Sequence, residues 1–373
     1  MRRGRSGSLT YFWRGRRVFL TGHTGFKGSW LALWLAQMGA EVTGYALAPP
    51  TDPSLFALAR VGDLVRDQRG DVTDAQALAS AVRDAQPEVV LHLAAQALVR
   101  PSYEDPVGTY ATNVMGTVHL LEGVRQTPGV RAVVCVTSDK CYENGDQARP
   151  YREDDPMGGY DPYSSSKGCS ELVTSAYRRS FFHPRDLARH QVGVASARAG
   201  NVIGGGDWAR DRLIPDLLKS FSAGERPLIR FPDAVRPWQH VLEPLHGYLI
   251  LAQRLCEGRA EAADGWNFGP DADSARPVGW IADRLAAAWG QGAGWDRTAD
   301  AQPHEAGYLS LDSDKARAIL GWRPVWSLEE TLAGIVQWQR DLLQGVNVQA
   351  STLDQIRRFE AAVAARTPSL VGA

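Results

Sequence analysis

Short apolar runs alternate with segments of helical periodicity along the first two-thirds of the chain. This alternation predicts an α/β fold, in which a doubly wound parallel sheet carries helices on both faces. We predict strands at 17–20, 41–45, 64–69, 89–93, 132–136 and 192–196, and helices at 29–38, 73–85, 107–125 and about 162–182. The run at 132–136 is almost wholly apolar, which is typical of a strand buried on both faces.

The alternation ends near Asn201, and glycine, tryptophan and proline become frequent after it. We therefore expect a second, smaller substrate-binding lobe that is interleaved with the first domain. We predict a disordered basic leader over 1–13, a dinucleotide-binding domain over 14–200 to which 240–270 returns, and a lobe made of 201–239 and 271–373.

Charge and composition narrow the function classes. The formal net charge of −1 provides no overall attraction to nucleic acid or to an anionic membrane. The four cysteines form no C-x-x-C pair, which favours free thiols and a reducing, cytoplasmic location. No apolar segment follows the N-terminal arginines as a signal peptide requires, and the histidines lack metal-ligand spacing, so we expect no metal site.

A glycine-rich turn separates the first predicted strand from its helix. Gly22, Gly25 and Gly28 follow a G-x-x-G-x-x-G pattern, which allows a tight turn and lets backbone N–H groups approach phosphate oxygens. In this strand–turn–helix context the pattern predicts a Rossmann dinucleotide site. The expected cofactor contacts are Gly22, Thr24, Gly25, Phe26, Lys27, Gly28, Asp71, Val72, Ala94, Ala95, Tyr163 and Lys167.

The second predicted strand ends without the carboxylate that usually binds a ribose, since the tract at 44–49 reads GYALAP. No arginine follows directly that would receive a 2′-phosphate. NAD is therefore favoured over NADP. Asp71 is a candidate for the adenine ring, although a helix-capping role near Thr73 explains it as well.

Tyr163 and Lys167 lie four residues apart, on one face of a predicted helix that begins with Asp161 as N-cap and Pro162 at its first position. A free tyrosine has a pKa of about 10, so a base near neutral pH requires a shift of about three units. We expect the Lys167 ammonium and a positive nicotinamide ring to provide it. Such a pair on an exposed helix is common, and its position after the fifth strand is what favours catalysis.

Ser138, Asp139 and Lys140 follow the fifth strand, where an open parallel sheet presents its ligand-binding edge. They provide a hydroxyl, an acid and an amine base, although an ordinary loop could begin in the same way. Downstream arginines, including Arg198, are candidates for a nucleotide diphosphate, or else for surface salt bridges. The predicted substrate contacts are Gln96, Asn201, Asp207, Trp208, Arg212, Arg236 and Glu305.

These residues together resemble the extended short-chain dehydrogenase/reductase family across about 14–338, and within it the NAD-dependent sugar-nucleotide 4,6-dehydratases. The tracts that carry the resemblance are 22–31, 137–144, 204–209, 236–241 and 303–305. The resemblance implies CDP-glucose as substrate, because related dTDP-glucose enzymes carry a glutamate where this chain has Lys140. It also implies a homodimer through the helices after strands four and five, and a product used in deoxysugar and cell-surface polysaccharide biosynthesis.

The resemblance further implies a role for each catalytic side chain. Tyr163 would take the proton of the sugar 4-hydroxyl during oxidation at C4 by NAD. Lys140 would then remove the C5 proton while Asp139 protonates the departing 6-hydroxyl, and hydride would return to C6.

Two alternatives stay open at this point. One is another sugar-nucleotide enzyme of the same fold, either a 4-epimerase or a dehydratase of a dTDP-, GDP- or UDP-sugar. The other is a non-catalytic dinucleotide-binding sensor. The presence of Ser138, Tyr163 and Lys167 together argues against a sensor, which has no need of all three.

Overall fold

The computed structural model describes residues 9–143, 149–298 and 309–366. Its strands are short, and the six longest lie in the first 200 residues. They are β1 Arg17–Thr21, β2 Glu41–Ala46, β3 Arg66–Arg69, β4 Val89–His92, β5 Ala132–Val136, β6 Gly193–Arg198, β7 Val202–Ile203, β8 Leu228–Ile229, β9 Val235–Pro237, β10 Gln239–His240, β11 Gly265–Asn267, β12 Ala275–Pro277 and β13 Asp296–Arg297.

Helices connect most of these strands. They are α1 Leu9–Trp13, α2 Phe26–Gln37, α3 Leu55–Leu58, α4 Ala75–Ala85, α5 Val99–Glu104, α6 Pro106–Tyr110, α7 Gly116–Arg125, α8 Pro162–Ser180, α9 Leu187–His190, α10 Leu213–Ser222, α11 Leu242–Cys256, α12 Val278–Trp289, α13 Leu328–Leu343 and α14 Val348–Arg366. Within the described ranges, none of them has the length and hydropathy that a bilayer crossing requires.

Seven strands form one sheet in the order β11-β6-β5-β4-β1-β2-β3, and every pairing in it is parallel. The chain reverses direction across the sheet between β1 and β4, which places the ligand-binding crevice of a doubly wound fold at their carboxyl ends. The predicted Rossmann architecture is confirmed. β11 joins the sheet beside β6, although it lies more than 60 residues later in the chain.

Helices cover both faces of this sheet. One face packs against α2 and α11 with Trp30, Trp34 and Leu249 fully buried, and the other packs against α4 and α7 with Leu78 and Leu120 fully buried. A separate apolar cluster joins α10, α12 and α13 in the smaller lobe. The site therefore lies between a rigid sheet and a lobe with its own core.

Two domain assignments need correction. Residues 9–13, expected to be part of a disordered leader, form α1, and Trp13 is fully buried against the main core because its indole packs on Phe12 and beside α11. The C-terminal helix α14, assigned wholly to the smaller lobe, packs on α13 of that lobe and also on α2 of the first domain, where Glu360 accepts a 2.8 Å hydrogen bond from Trp34 Nε1.

The long helix predicted at 107–125 is interrupted. α6 and α7 are separated by a π-helical turn over Ala111–Met115. Asn113 lies in this turn, donates to Ser166 Oγ at 2.8 Å and accepts from Gln96 N–H at 2.9 Å. The wider turn lets the Asn113 side chain join α8 to the loop that follows β4. The periodicity of the sequence does not show this connection.

Three of the buried histidines, His92, His240 and His246, have no carboxylate partner within the described ranges, unlike His23, which pairs with Asp67. Burial lowers the pKa of His92 to about 3, of His240 to about 3 and of His246 to about 4. His92 Nδ1 lies 2.7 Å from Thr21 Oγ1, so a neutral ring has a polar partner in the core. Burial acts in the opposite sense on Glu243, whose pKa it raises to about 8.

These shifts predict acid instability. The unfolded chain binds more protons than the folded one between the folded histidine pKa values and about 6.5, so the free energy of unfolding falls as pH drops through that window. Down to about pH 4.5, the ordinary pKa of a glutamate, the folded state holds an extra proton on Glu243. This proton cancels the contribution of one of the three histidines. We expect a net loss of up to about 3 kcal/mol per pH unit below about 6, measured by urea unfolding across pH.

His246→Phe provides the matched test, because the ring packs between Trp34 and Phe359 and its Nδ1 has no hydrogen-bond partner among the described residues. In this variant the dependence of the free energy of unfolding on pH should lose the contribution of about one proton. An unchanged slope would show that His246 is not a neutral, buried group.

Candidate active site at the carboxyl edge of the sheet

The glycine turn after β1 is shaped by close backbone contacts. Gly22 has φ +76°, and a Cβ there would lie 2.7 Å from Ala94 N. A Cβ on Gly28 would lie 2.0 Å from Gly22 O, so the start of α2 packs directly on the turn. Only glycine fits at these two positions.

Gly25 differs, because its Cβ would meet only Gly22 O at 3.5 Å. It is the N-cap of α2 and provides no side-chain cap, so the first N–H groups of this 12-residue helix point towards the cleft with their partial positive charge. This open cradle at a helix N-terminus fits the pyrophosphate of a dinucleotide. Phe26 and Lys27 begin the helix, and Thr24 Oγ1 donates to Leu47 O at 3.1 Å.

The outer end of the cleft contains groups that sequence reasoning missed. Asp67 of β3 accepts from Arg69 at 2.8 Å and lies 2.8 Å from His23 Nε2. Arg69 also donates to Leu47 O at the end of β2, at 3.0 Å. The parallel pairing of β2 with β3 brings this carboxylate beside the strand that lacks one, and the register of that pairing could not be read from the sequence.

Asp71 makes the local turn that was the alternative to adenine binding. Its Oδ1 accepts from Thr73 N–H at 2.8 Å, while Asp74 caps α4. Val72 is buried next to it. On the other side of the cleft, Ala94 N–H donates to Thr21 Oγ1 at 3.1 Å, and Ala95 follows it in the same loop.

Helix α8 carries Tyr163 and Lys167 on one buried face. Its start is as predicted: Asp161 accepts from Ser164 N–H, and Pro162 takes the first helical position. Tyr163 is 8% exposed and Lys167 is 5% exposed. Lys167 Nζ lies 3.5 Å from Val136 O, so the ammonium reaches back to the end of β5.

Lys167 by itself does not bring the pKa of Tyr163 towards neutrality, and the expected effect of a positive nicotinamide ring stays a prediction. Burial raises the pKa of Tyr163 to about 12, while a hydrogen bond to Ser138 and the charge of Arg212 lower it only in part. Burial likewise lowers the pKa of Lys167 to about 8, so its positive charge is itself weakened. Desolvation outweighs the ion–phenol attraction because both groups are enclosed.

Ser138, Asp139 and Lys140 lie at the end of β5, in a single 3₁₀ turn that Ser138 caps. Ser138 Oγ donates to Asp139 Oδ1 at 2.9 Å. Asp139 is 1% exposed, and its Oδ2 has no hydrogen-bond partner in the part of the chain that the structure describes. A Cβ on Gly200 would lie 1.6 Å from this oxygen, so the carboxyl group occupies space that only glycine leaves free.

A second set of charges faces the same cleft. Arg212 forms a 2.7 Å ion pair with Asp207. Burial, together with the charges of Arg212 and Lys167, lowers the pKa of Lys27 to about 7. Lys27, Lys167, Arg212, Asp139 and Tyr163 thus lie close enough to perturb one another, which gathers residues from four segments at one place.

The other predicted substrate contacts have mixed surroundings. Trp208 packs edge-on against Trp338, and Asn201 has φ +49° at the start of the loop before the lobe. Arg236 is buried and donates to Val235 O at 2.9 Å. Gln96 is held by Thr109 at 3.0 Å, which indicates a structural role. Glu305 lies outside the described residues.

Arg198 is not a diphosphate ligand, contrary to expectation. It is 4% exposed and donates to Glu171 Oε2 at 2.8 Å, because β6 lies inside the sheet and turns this side chain towards α8. Glu171 was not predicted as a site residue. Its spacing of four residues after Lys167 on α8 was the signal that could have found it.

Comparison with known proteins agrees with this architecture. The family described as GDP-mannose 4,6 dehydratase matches residues 19–335. A CDP-glucose 4,6-dehydratase of Salmonella typhimurium is 54% identical over 351 residues, covering 94% of this chain and 98% of that one. A dTDP-glucose 4,6-dehydratase of Streptomyces griseus is 30% identical, covering 86% of this chain and 93% of that one.

Solved structures give the same picture. A dTDP-glucose 4,6-dehydratase of Streptomyces venezuelae, crystallised with NAD bound, is 26% identical with a TM-score of 0.72 and covers 89% of this chain and 99% of that one. A UDP-glucose 4-epimerase of Thermotoga maritima, at 22% identity and a TM-score of 0.75, covers 87% of this chain and 99% of that one and shares the fold.

Two glycine substitutions separate the cofactor cradle from the fold. Gly25→Ala should keep the melting temperature of the unsubstituted protein, because its methyl group meets only Gly22 O at 3.5 Å and the φ of −81° suits alanine. It should weaken NAD binding at least about tenfold, since the methyl group enters the phosphate space. Titration calorimetry and thermal melting measure the two effects.

Gly28→Ala is the control, because its Cβ would overlap Gly22 O at 2.0 Å and should lower the melting temperature as well. Unchanged NAD affinity in Gly25→Ala would show that the cradle does not hold the pyrophosphate.

Proposed function

The chain belongs to the GDP-mannose 4,6 dehydratase family, and we propose that it converts CDP-D-glucose to CDP-4-dehydro-6-deoxy-D-glucose and water, with NAD as its resident cofactor. The reaction is a carbon–oxygen lyase reaction with no net redox change. The choice of CDP-glucose rests on the 54% identity to a curated enzyme of that name across nearly the whole of both chains.

One observation of the site carries the dehydratase assignment. Ser138 and Asp139 both lie close enough to Tyr163 to shift its pKa, and Ser138 Oγ donates to Asp139 at 2.9 Å, so a phenol suited to alcohol oxidation adjoins a carboxyl group suited to elimination. A 4-epimerase needs the phenol and the hydroxyl but no acid for a leaving 6-hydroxyl. Lys140 follows directly in the same turn.

The residues divide the reaction between them. NAD, when bound, supplies the hydride acceptor for C4 and afterwards the hydride donor for C6. Tyr163 takes the 4-hydroxyl proton, and Ser138 orients that hydroxyl. The resulting ketone acidifies C5–H, and Lys140 removes that proton while Asp139 donates one to the departing 6-hydroxyl.

Three sets of residues are proposed to hold the ligands. Gly22, Gly25 and Gly28 cradle the cofactor pyrophosphate at the start of α2. Arg212 and Arg236 approach from the lobe side, where a guanidinium can bind a nucleotide diphosphate in bidentate fashion. Asn201, Asp207 and Trp208 remain proposed substrate contacts at the same side of the cleft.

Incubation with CDP-glucose tests the function directly. We expect a 4-keto product that absorbs in alkali and is lighter than the substrate by one water, as measured by mass spectrometry. dTDP-, GDP- and UDP-glucose are the parallel substrates. A product that keeps its 6-hydroxyl would identify an epimerase. Absence of turnover with NAD-loaded protein would favour a non-catalytic dinucleotide-binding sensor.

Lys140→Met tests the elimination step, because it keeps the length of the side chain and removes the amine. This variant should oxidise C4 but lose water at least about a hundredfold more slowly, the scale of a lost general base. Dehydration at the normal rate would show that another group removes the C5 proton.

We further propose a homodimer formed through α5 to α8. Large apolar side chains are exposed on these helices, with Val107 at 79%, Tyr103 at 60% and Leu172 at 60%. α6 and α8 pack side by side, so Val107 and Leu172 are carried by neighbouring elements. Exposed apolar surface of this kind marks protein–protein contacts more often than free solvent faces.

Val107→Glu combined with Leu172→Glu should convert the dimer to a monomer, because two buried carboxylates would lack partners in the interface. Sedimentation velocity measures the change. Leu343→Glu, at an equally exposed leucine on α13, is the control and should stay dimeric. A wild-type protein that sediments as a monomer would contradict the proposal.

A further inference from the structure

A third ionisable side chain continues the catalytic face of α8. Tyr163, Lys167 and Glu171 succeed one another at intervals of four residues, and Glu171 is 4% exposed. The mechanism proposed above does not use it. Glu171 accepts hydrogen bonds from Thr137 Oγ1, from Ser196 Oγ at 2.6 Å and from Arg198 Nη2 at 2.8 Å.

These partners keep the carboxylate charged. Burial alone raises the pKa of Glu171, but the Arg198 guanidinium and the hydrogen bonds outweigh it and hold the pKa below its ordinary value. Glu171 thus joins α8 to the end of β5 and to β6 through one ionised group.

Arg198 extends the connection to the far end of the catalytic segment. Its Nη1 donates to Tyr142 Oη at 2.6 Å, and Tyr142 Oη donates to Asn267 Oδ1 of β11 at 2.7 Å. The Tyr142 ring stacks on Tyr151 with centroids 5.0 Å apart. Tyr142 is therefore fixed by its ring and by its hydroxyl.

Thr137 and Tyr142 stand on either side of the segment that contains Ser138, Asp139 and Lys140. The Glu171–Arg198 ion pair consequently holds both ends of the segment that carries the elimination groups. The same glutamate lies on the helix that carries the oxidation groups.

We propose that Glu171 and Arg198 are positioning residues that set the 137–142 segment against α8, so that Asp139 and Lys140 reach C5 and C6 of the sugar ring whose C4 faces Tyr163. This inference rests on the proposed function. The reaction needs two sets of groups aligned on neighbouring carbons of one ring, and a displacement of about 1 Å costs about a hundredfold in rate.

The chemistry gives this role a distinct signature. Oxidation removes a hydride from C4 and a proton from its oxygen, and the two electrons return to the sugar only after C6 has lost its hydroxyl as water. A shifted 137–142 segment would slow the loss of water more than the oxidation. A 4-keto sugar that still carries its 6-hydroxyl would then accumulate on the enzyme, heavier than the product by one water.

Three variants loosen the connection without removing a catalytic group. Tyr142→Phe and Thr137→Val each delete one hydroxyl and keep the shape of the side chain, and Glu171→Gln removes the charge. Glu243→Gln is the control for changing a buried glutamate away from the site, because Glu243 is 1% exposed, lies on α11 and accepts from the N–H groups of Val325 and Trp326.

Single turnovers with NAD-loaded enzyme are quenched with borodeuteride and analysed by mass spectrometry, which separates hydroxylated from dehydrated 4-keto sugars. We expect the hydroxylated fraction to rise about tenfold or more in the three variants, with C4 oxidation slowed less than about threefold. Glu243→Gln should lower the melting temperature and leave the fraction unchanged.

The proposal is overturned if both steps slow in parallel, or if Glu243→Gln raises the hydroxylated fraction as much as the three variants do. Should Glu171→Gln fail to fold, the two hydroxyl deletions decide the question. A wild-type enzyme that never yields dehydrated sugar would overturn the proposed function itself, whereas normal dehydration in every variant would overturn only the positioning role.

Discussion

Close approach of backbone segments at the carboxyl edge of one parallel sheet is the constraint on which the site depends. Gly22 lies against the loop after β4, Gly28 lies against Gly22, and Gly200 lies against the Asp139 carboxyl group. A side chain at any of these positions would push apart the segments that carry the catalytic groups. The strand order β6-β5-β4-β1 then brings the glycine turn, the Ser138 segment and the end of β6 to one crevice.

Burial at this edge controls the ionisation of the site. It raises the pKa of Tyr163 to about 12 and lowers those of Lys167 and Lys27 to about 8 and about 7. Each group therefore moves towards its neutral form, because a low-dielectric cleft disfavours isolated charge. Burial outweighs the neighbouring cations at Tyr163, so we expect its ionisation to depend also on the positive ring of a bound nicotinamide.

Local patterns predicted the elements, whereas tertiary pairing determined the partners of the polar side chains. The apolar run of β5 and the Asp161–Pro162 start of α8 were readable because one strand and one helix cap carry their own signals. The π turn at Asn113, the Asp67–Arg69–His23 contacts and the burial of Arg198 were not readable, because each depends on how separate strands or helices pair. The strength of the burial effect on the Tyr163 pKa was not readable for the same reason, since the sequence shows the neighbouring cation but not the depth of burial.

The fold is shared by epimerases and dehydratases, so the difference between their reactions must lie in few side chains. In the proposed mechanism Tyr163 and Lys167 serve the common oxidation step, whereas Asp139 and Lys140 serve elimination. Asp139 can be buried at 1% exposure only because Gly200 leaves room for its carboxyl group at the end of β6. In this chain the proposed acid after β5 therefore requires a glycine after β6. Asp139 and Gly200 lie 61 residues apart in the sequence and in contact in the structure.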